Sequence, residues 1–387
     1  MKQKTQENPR RGYTIGGSMT TIYLIRHAEA EGNLYRIAQG QKNSLLTDRG
    51  WRQVQALEQR FADVHIDAVY SSDLYRTCAT ASAINKPKGL LLQRRAGLRE
   101  ISVGDWEQHT WGEIYRMDPV QMDNFSNHLT LWHTDGAETP YQVLERVQKT
   151  LKEIAAENDG KTVAIFSHGY AIRLLLATLQ GIPMEKVGET PHGDNTAVSL
   201  LEVDGDDWRV AFRDDNSHLQ TPEFLAKEKV RKRANALEPG LWFRLVAAEE
   251  LQSGIAEILA EQAWRDAGEE ASFDSGKFLA DAARHETLIG YLREEPVGLV
   301  QVQPETGWIS FLYIREDCRK RGFGVQLIGQ AVYLTRFRDG ETLQIALRPD
   351  SNAHAFFADY GFSPAETMEN GRVVLRKGIG FDPEYLS

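Results

Sequence analysis

Two short apolar runs, far apart in the chain, each end in a histidine. Ile22-Tyr23-Leu24-Ile25 leads into Arg26-His27, and Thr162-Val163-Ala164-Ile165-Phe166 leads into Ser167-His168-Gly169. Runs this short and this apolar read as strands buried on both faces, as in sheets covered by helices on each side. Such sheets bind ligands in the crevice outside the carboxyl ends of their strands. A chain that delivers a guanidinium and two imidazoles to strand ends has few folds open to it.

The sequence around these runs alternates strand and helix signals. Thr47 reads as the N-cap of a helix reaching Phe61, with Val54, Leu57 and Phe61 at helical spacing. Ile66 to Tyr70 reads as a strand, and Ser71-Ser72-Asp73 turns into a helix over 74–84 with Arg76 in its first turn. Gly32 to Ser44 reads as a loop, Leu90 to Gln93 as an edge strand, Thr110 to Leu131 as one helix and Tyr141 to Asn158 as another, amphipathic one. A helix from Tyr170 to Gln180 follows the second histidine, and two closing strands join through Asp204-Gly205.

From Leu241 the order changes to a strand, two helices, three consecutive strands, and a helix opened by Arg319-Lys320-Arg321-Gly322-Phe323-Gly324. A strand, a helix and a last strand follow. A highly charged stretch, Thr221 to Leu237, closes on Pro239-Gly240 just before this change. With 387 residues, long for one core, the chain divides into two domains. The expected boundaries are a disordered leader over 1–19, a first domain over 20–218, a linker over 219–240 and a second domain over 241–387.

Composition narrows the function. A net charge of −10 argues against a nucleic-acid-coating protein, and no apolar run reaches the ~18 residues that span a bilayer. Neither a nucleic acid nor a membrane is expected as partner. Cys78 and Cys318 are the only cysteines, and no Cys/His spacing suggests a metal, so the expectation is a cytoplasmic protein with no metal site. The oligomeric state is left open.

The first half carries five segments in a fixed order: Arg26-His27 with Asn33; Gly40 through Thr47 and Gly50; Ser71-Ser72-Asp73-Leu74-Tyr75-Arg76-Thr77; Leu98-Arg99-Glu100 with Gly104, Trp106 and Glu107; and Ser167-His168-Gly169. In these it resembles the histidine phosphatase superfamily, the phosphoglycerate-mutase-like fold. The resemblance implies a three-layer α/β/α domain and catalytic roles for His27, Glu100, Arg26, Arg76 and His168. It implies phosphate binding by Arg26, Asn33, Arg76, His168 and Gly169, with no cofactor. The chemistry explains the residue types. A phosphate dianion needs screening, which forked guanidiniums supply and a cationic His168 would extend. An attacking His27 must be neutral, with its other nitrogen held by a carbonyl. A poor leaving group needs an acid, for which Glu100 is the candidate and Glu107 the neighbouring carboxylate. Ala28, Asn43 and Leu45 depart from the residues frequent in the family, which leaves the small phosphorylated substrate unnamed.

The second half resembles GNAT-type N-acetyltransferases, a mixed α/β fold, through Arg319-x-x-Gly322-x-Gly324 after the strand Ile309 to Ile314, and through Asn352-x-x-Ala355-Phe356-Phe357-x-x-Tyr360-Gly361-Phe362. Successive amides at a helix start form an anion site, and glycines let a pyrophosphate approach. The resemblance implies acetyl-CoA at Leu312, Ile314, Arg319, Lys320, Arg321, Gly322, Gly324 and Asn352, with an amine as acetyl acceptor. Phe357 stands where many relatives carry the tyrosine acid. The expected whole is a phosphomonoesterase acting through phosphohistidine, fused to an acetyltransferase. Its alternatives are a phosphoglycerate-type mutase in the first domain, or a phosphatase regulated by a non-catalytic CoA-binding domain.

Overall fold

The computed structural model describes residues 19–228, 240–246, 254–268, 272–282 and 284–386. The expected leader and the middle of the expected linker therefore lie outside the described residues.

The first domain is built from β1 (Thr20–Arg26), α1 (Glu31–Tyr35), α2 (Asp48–Phe61), β2 (Ala68–Ser71), α3 (Tyr75–Asn85), β3 (Leu92–Arg94), α4 (Trp111–Met117), α5 (Pro119–Asn127), α6 (Pro140–Glu157), β4 (Thr162–Ser167), α7 (Gly169–Leu179), β5 (Val198–Asp204) and β6 (Asp207–Asp215). Its sheet runs β3-β2-β4-β1-β5-β6; β1, β2, β3 and β4 are parallel, and β5 and β6 close it antiparallel. Neighbouring residues of one strand feed opposite layers. Leu24 and Ile165 join a core with Val147, Leu151 and Leu175 from α6 and α7; Ile25 and Phe166 join one with Leu57 and Ile84 from α2 and α3. That is why these strands are apolar at every position rather than at alternate ones. The parallel pairing of β1 and β4 sets Arg26 beside Ser167, so the two histidines leave the sheet at the same edge.

Two local readings need correction. Residues 31–35 are a short helix, not loop. The single helix expected over 110–131 is α4 and α5, broken at Asp118-Pro119: Asp118 caps α5 and Pro119 occupies its first position, which proline tolerates and a helix interior does not.

After α8 (Pro222–Lys227) the second domain contains β7 (Trp242–Leu245), α9 (Ile255–Asp266), α10 (Ser275–Ala282), β8 (Glu286–Leu292), β9 (Glu295–Gln303), β10 (Trp308–Ile314), α11 (Gly324–Phe337), β11 (Thr342–Leu347), α12 (Ala353–Ala358), β12 (Ser363–Thr367) and β13 (Val373–Gly378). Its sheet runs β12-β13-β11-β10-β9-β8-β7. The exposed edge strand β12 has no burial pattern for a sequence reading to find.

The domains share structure. Tyr35 of α1 is part of the second domain's core, against a notch left by Gly329 of α11. Arg336 of α11 pairs with both carboxylate oxygens of Glu31, at 2.7 and 3.0 Å. Past β13 the chain returns to the first domain: Tyr385 packs on Tyr75 and Trp51 and enters the core beneath α2 and α3.

Candidate active site

His27 follows directly from β1 and is 3% exposed. Its Nδ1 lies 2.7 Å from Ala28 O. A carbonyl only accepts, so Nδ1 carries the proton and Nε2 holds a free lone pair. Burial, with the Arg76 and Arg26 charges, holds this imidazole well below the usual histidine range, so it is neutral. His168, at the end of β4, is fully buried with its ring centroid 5.3 Å from that of His27. Its Nε2 is 2.7 Å from Ser72 Oγ, and its Nδ1 is buried without a partner among the described residues. Burial, then Arg76 and His27, push it well below the usual range as well. The cationic His168 expected from sequence is therefore neutral in the free site. Its positive charge waits on a bound anion.

The guanidiniums are held from behind. Arg76 donates Nη1 to Lys42 O at 2.9 Å and Nη2 to Gly40 O at 2.8 Å, while its Nε is buried without a partner among the described residues. Burial lowers its pKa to about 10, so it stays a cation. Arg26 donates Nη1 to Gly193 O and lies 3.1 Å from His192 Nδ1; its Nε is likewise buried and unpartnered among the described residues. A Cβ on Gly169 would come within 3.0 Å of Arg26 Nε and 2.7 Å of His192 Cε1, so only glycine admits both side chains. Asn33 uses Oδ1 on Ala30 N and Asn195 Nδ2, which leaves its amide NH2 as donor.

Glu100 accepts from three amides: Ile101 N and Ala171 N at 3.1 Å on Oε1, and Tyr170 N at 3.2 Å on Oε2. The first turn of α7, which follows His168, thus positions this carboxylate. Arg26, His27, Asn33, Arg76, Glu100 and His192 line one cavity of about 340 Å³. Glu107 does not; its carboxylate binds Gln41 N.

In the second domain β10 pairs with β9 along its length but meets β11 only at Trp308 and Gln344. The two strands then diverge, and β10 backbone toward Leu312 and Ile314 is left open on that side. Lys320 and Gly322 have positive φ, 62° and 79°. The backbone amides of Lys320, Gly322 and Phe323 donate to no group among the described residues. A loop of unspent amides at the start of α11 fits a pyrophosphate. The Arg319 side chain is already engaged: Nε donates to Ile314 O at 2.9 Å and the guanidinium pairs with Asp266. Asn352 is exposed ahead of α12 and makes no capping bond. Phe357 is a core residue against Phe356 and Phe362, and Tyr360 lines a cleft between the domains with Asp48 and Lys377.

Residues 22–216 match the family model described as Histidine phosphatase superfamily (branch 1), about half of the chain. The chain belongs to this superfamily. Residues 245–362 match the Acetyltransferase (GNAT) family, so the second half is a GNAT domain. Phosphoserine phosphatase 1 of Hydrogenobacter thermophilus is 30% identical over 48% of this chain and 88% of its own length. "Probable phosphoglycerate mutase GpmB" of Proteus mirabilis is 31% identical over 43% of this chain and 77% of its own. The solved structure of Bacillus stearothermophilus YhfR is 33% identical with a TM-score of 0.51, over 52% of this chain and 99% of that one. These relatives match the phosphatase half alone.

The structure brings Arg26, His27, Asn33, Arg76 and Glu100 to one cavity, with His168 beside His27 and Gly169 against Arg26, and adds three residues that were not expected. Asn195 Nδ2 donates to His27 O at 3.0 Å, and Arg146 Nη2 donates to Glu100 O at 2.8 Å. Ser72, quoted above only as part of a motif, orients His168. All three act through backbone carbonyls or a second side chain, for which local sequence carries no signal. Among the described residues no group of three or more His, Cys, Asp or Glu is placed to hold a metal, and no helix is long and apolar enough to cross a membrane. Cys78 and Cys318 are free and buried.

Proposed function

We propose that the phosphatase domain hydrolyses a small phosphomonoester through a phosphohistidine on His27. One observation carries the reading: a neutral imidazole with its Nδ1–H spent on Ala28 O shares a single cavity with Arg26 and Arg76, whose Nε–H groups have no protein partner among the described residues. Buried unsatisfied donors are costly, about 1–3 kcal/mol each, and a phosphate satisfies them together. In the first step His27 Nε2 bonds to phosphorus as the ester P–O bond breaks, and the Glu100 carboxyl gives its proton to the departing oxygen. The dianion draws a proton to His168 and accepts from Asn33. In the second step Glu100 takes a proton from water as that water displaces His27 from phosphorus and inorganic phosphate leaves.

Rapid acid and alkaline quenching of a labelled turnover tests this. A phosphoenzyme that is acid-labile and base-stable is expected, absent in His27→Ala; full activity in that variant refutes the assignment. Measuring inorganic phosphate against isomerised phosphoglycerate in turnover of a phosphoglycerate distinguishes hydrolysis from a mutase, which would return the phosphoryl group to the product.

For the GNAT domain we infer acetyl-CoA bound at Lys320 to Gly324 and along β10, with transfer to an amine. When bound, that thioester supplies the activated acetyl group. Here Gly322 provides the left-handed turn and Gly324 passes Phe356, whose ring would lie 2.9 Å from any added Cβ. The buried Phe357 favours a second reading, a CoA-binding domain without its own acid at that position. Acetyl-CoA should raise the melting temperature of the full chain, and Gly322→Val, strained at φ 79°, should remove the shift. Acetylation of an amine panel by the same preparation separates the two readings.

A further inference from the structure

The loop that opens α11 and the wall of the phosphatase cavity are joined by buried hydrogen bonds. Gln326, in the first turn of α11, is 1% exposed. Its Nε2 donates to Gly322 O at 3.3 Å, inside the loop, and its Oε1 accepts from Leu241 N at 2.9 Å. Leu241 is the residue that enters β7. Its carbonyl accepts from Thr110 Oγ1 at 2.8 Å. Thr110 is the N-cap of α4, with its Oγ1 also accepting from Glu113 N at 3.1 Å. Trp111, the first residue of α4, donates its backbone N–H to Arg36 O at 3.0 Å. Trp111 and Arg36 both line the phosphatase cavity.

The path has little slack. Thr110 and Leu241 are fully buried. A Cβ on Gly112 would lie 2.5 Å from both Leu241 C and Leu241 O, so backbone meets backbone across the domain boundary. Glu113 adds a second tie, accepting Phe243 N on Oε1 at 3.4 Å and Thr110 N on Oε2 at 2.8 Å. Further along α11, Gly329 receives Tyr35 and, near the helix end, Arg336 holds Glu31, both in the helix that carries Asn33. α11 therefore touches the anion loop at its start and the phosphate-site helix along its length.

We propose that Gln326 and Thr110 are positioning residues that couple the two sites, so that CoA on the 320–324 loop and a phosphoryl group in the phosphatase cavity each tighten the binding of the other. This rests on the site readings given above. Fixing the loop fixes Gly322 O, and with it the Gln326 carboxamide, Leu241, and the cap of α4. A second ligand then has less conformational freedom left to remove, which is positive coupling. The effect is reciprocal by linkage, and couplings of this kind are typically about 5–150-fold. A series of neutral hydrogen bonds points to the lower end, about fivefold.

Calorimetric titration of CoA into the full chain, with and without orthovanadate as the phosphoryl probe, measures the coupling apart from turnover. The CoA dissociation constant should fall about fivefold with vanadate, and by linkage the vanadate dissociation constant should fall by the same factor with CoA. Gln326→Leu and Thr110→Val should bring both factors to one, while Thr110→Ser, which keeps the hydroxyl, should retain them. CoA binding and phosphate release that are both present but independent would overturn the proposal while leaving the site readings intact. Absence of CoA binding, or of phosphate release, would overturn the corresponding reading and the coupling with it. The wild-type comparison stands even if a substituted chain fails to fold.

Discussion

Replacing Gly329 by alanine should destabilise this protein, although alanine is the better helix former. Gly329 lies in the interior of α11, where Gly→Ala ordinarily gains about 0.8–1 kcal/mol. Here the new methyl would sit 2.6 Å from both Cβ and Cγ of Tyr35. Those atoms are the root of the side chain, so a rotamer change does not clear them; the α1 backbone has to retreat. Retreat strains the Arg336–Glu31 pair, whose carboxylate is 7% exposed. Overpacking of this kind costs about 1–3 kcal/mol. After the propensity gain, a net loss of about 1 kcal/mol is expected, read as a lower urea midpoint at unchanged slope. The sign then has to reverse in a Tyr35→Gly background, where both of those atoms are gone and only the propensity gain remains. That double-mutant cycle should show a coupling of about 1–3 kcal/mol. A Gly329→Ala chain more stable than wild type, with Tyr35 present, would mean that α1 is not seated on α11, and the shared-core account would be wrong.

Further outcomes follow from the phosphatase site. Arg76→Lys loses the fork that holds Gly40 O and Lys42 O while leaving a donor for the ligand, and kcat/KM should fall by roughly 10²–10³ in steady-state assays. Glu100→Gln should lower kcat by about 10²–10⁴ for an alkyl phosphate and far less for p-nitrophenyl phosphate, whose leaving group needs no proton. Phosphate release should be unchanged by chelator and by added magnesium, since Arg26, Arg76 and His168 meet the phosphate charge; activity lost in chelator and restored by magnesium would contradict this. Burial holds His218 down to about 4, against about 6.5 unfolded. It stays neutral in the fold where the unfolded chain takes up a proton. Its contribution is fully present above pH 6.5 and is lost as pH falls from 6.5 towards 4. The urea midpoint should drop across that window, less steeply in His218→Asn.

The strands of the phosphatase domain were legible because their two-sided burial removes every polar position: Leu24 faces one layer and Ile25 the other. Arg26, His27, Arg76 and His168 were legible because each lies at or just beyond a strand or helix end with a strong local signal. Helix α1 was not. Its five residues include Gly32 and a buried Glu31, and the burial is settled by Arg336, 305 residues away. Asn195 and Arg146 escaped for the same reason: each donates to a backbone carbonyl that any residue type presents. The break at Pro119 was a local signal read past, since its Asp118 cap and proline at the first helical position announce a new helix. The place of His168 was legible at the end of its strand, but its charge was not, because burial and a guanidinium neighbour push it well below the usual histidine range until an anion binds.

A boundary drawn at Leu241 follows the change in element order, yet the packing does not respect it. A first domain cut at residue 218 would lose Arg336 and the rest of α11, against which α1 packs with Glu31 and Tyr35. The same cut would leave Thr110 without Leu241 O and strip Tyr385 from Tyr75 and Trp51. A second domain cut at Leu241 would open a hole the size of Tyr35 in its core, a truncation that in a single side chain costs about 3–5 kcal/mol for an aromatic group. Each of these losses is a large fraction of the 5–15 kcal/mol that holds a typical domain together. Either fragment would therefore be a weaker protein than the corresponding half of the whole, and the phosphatase fragment would be weakest at α1, where Asn33 stands. Both sites accordingly belong to the intact chain. The helix beginning at Gly324 serves the two sites because one face of it is core to each domain's neighbour, not because a linker holds the domains near one another.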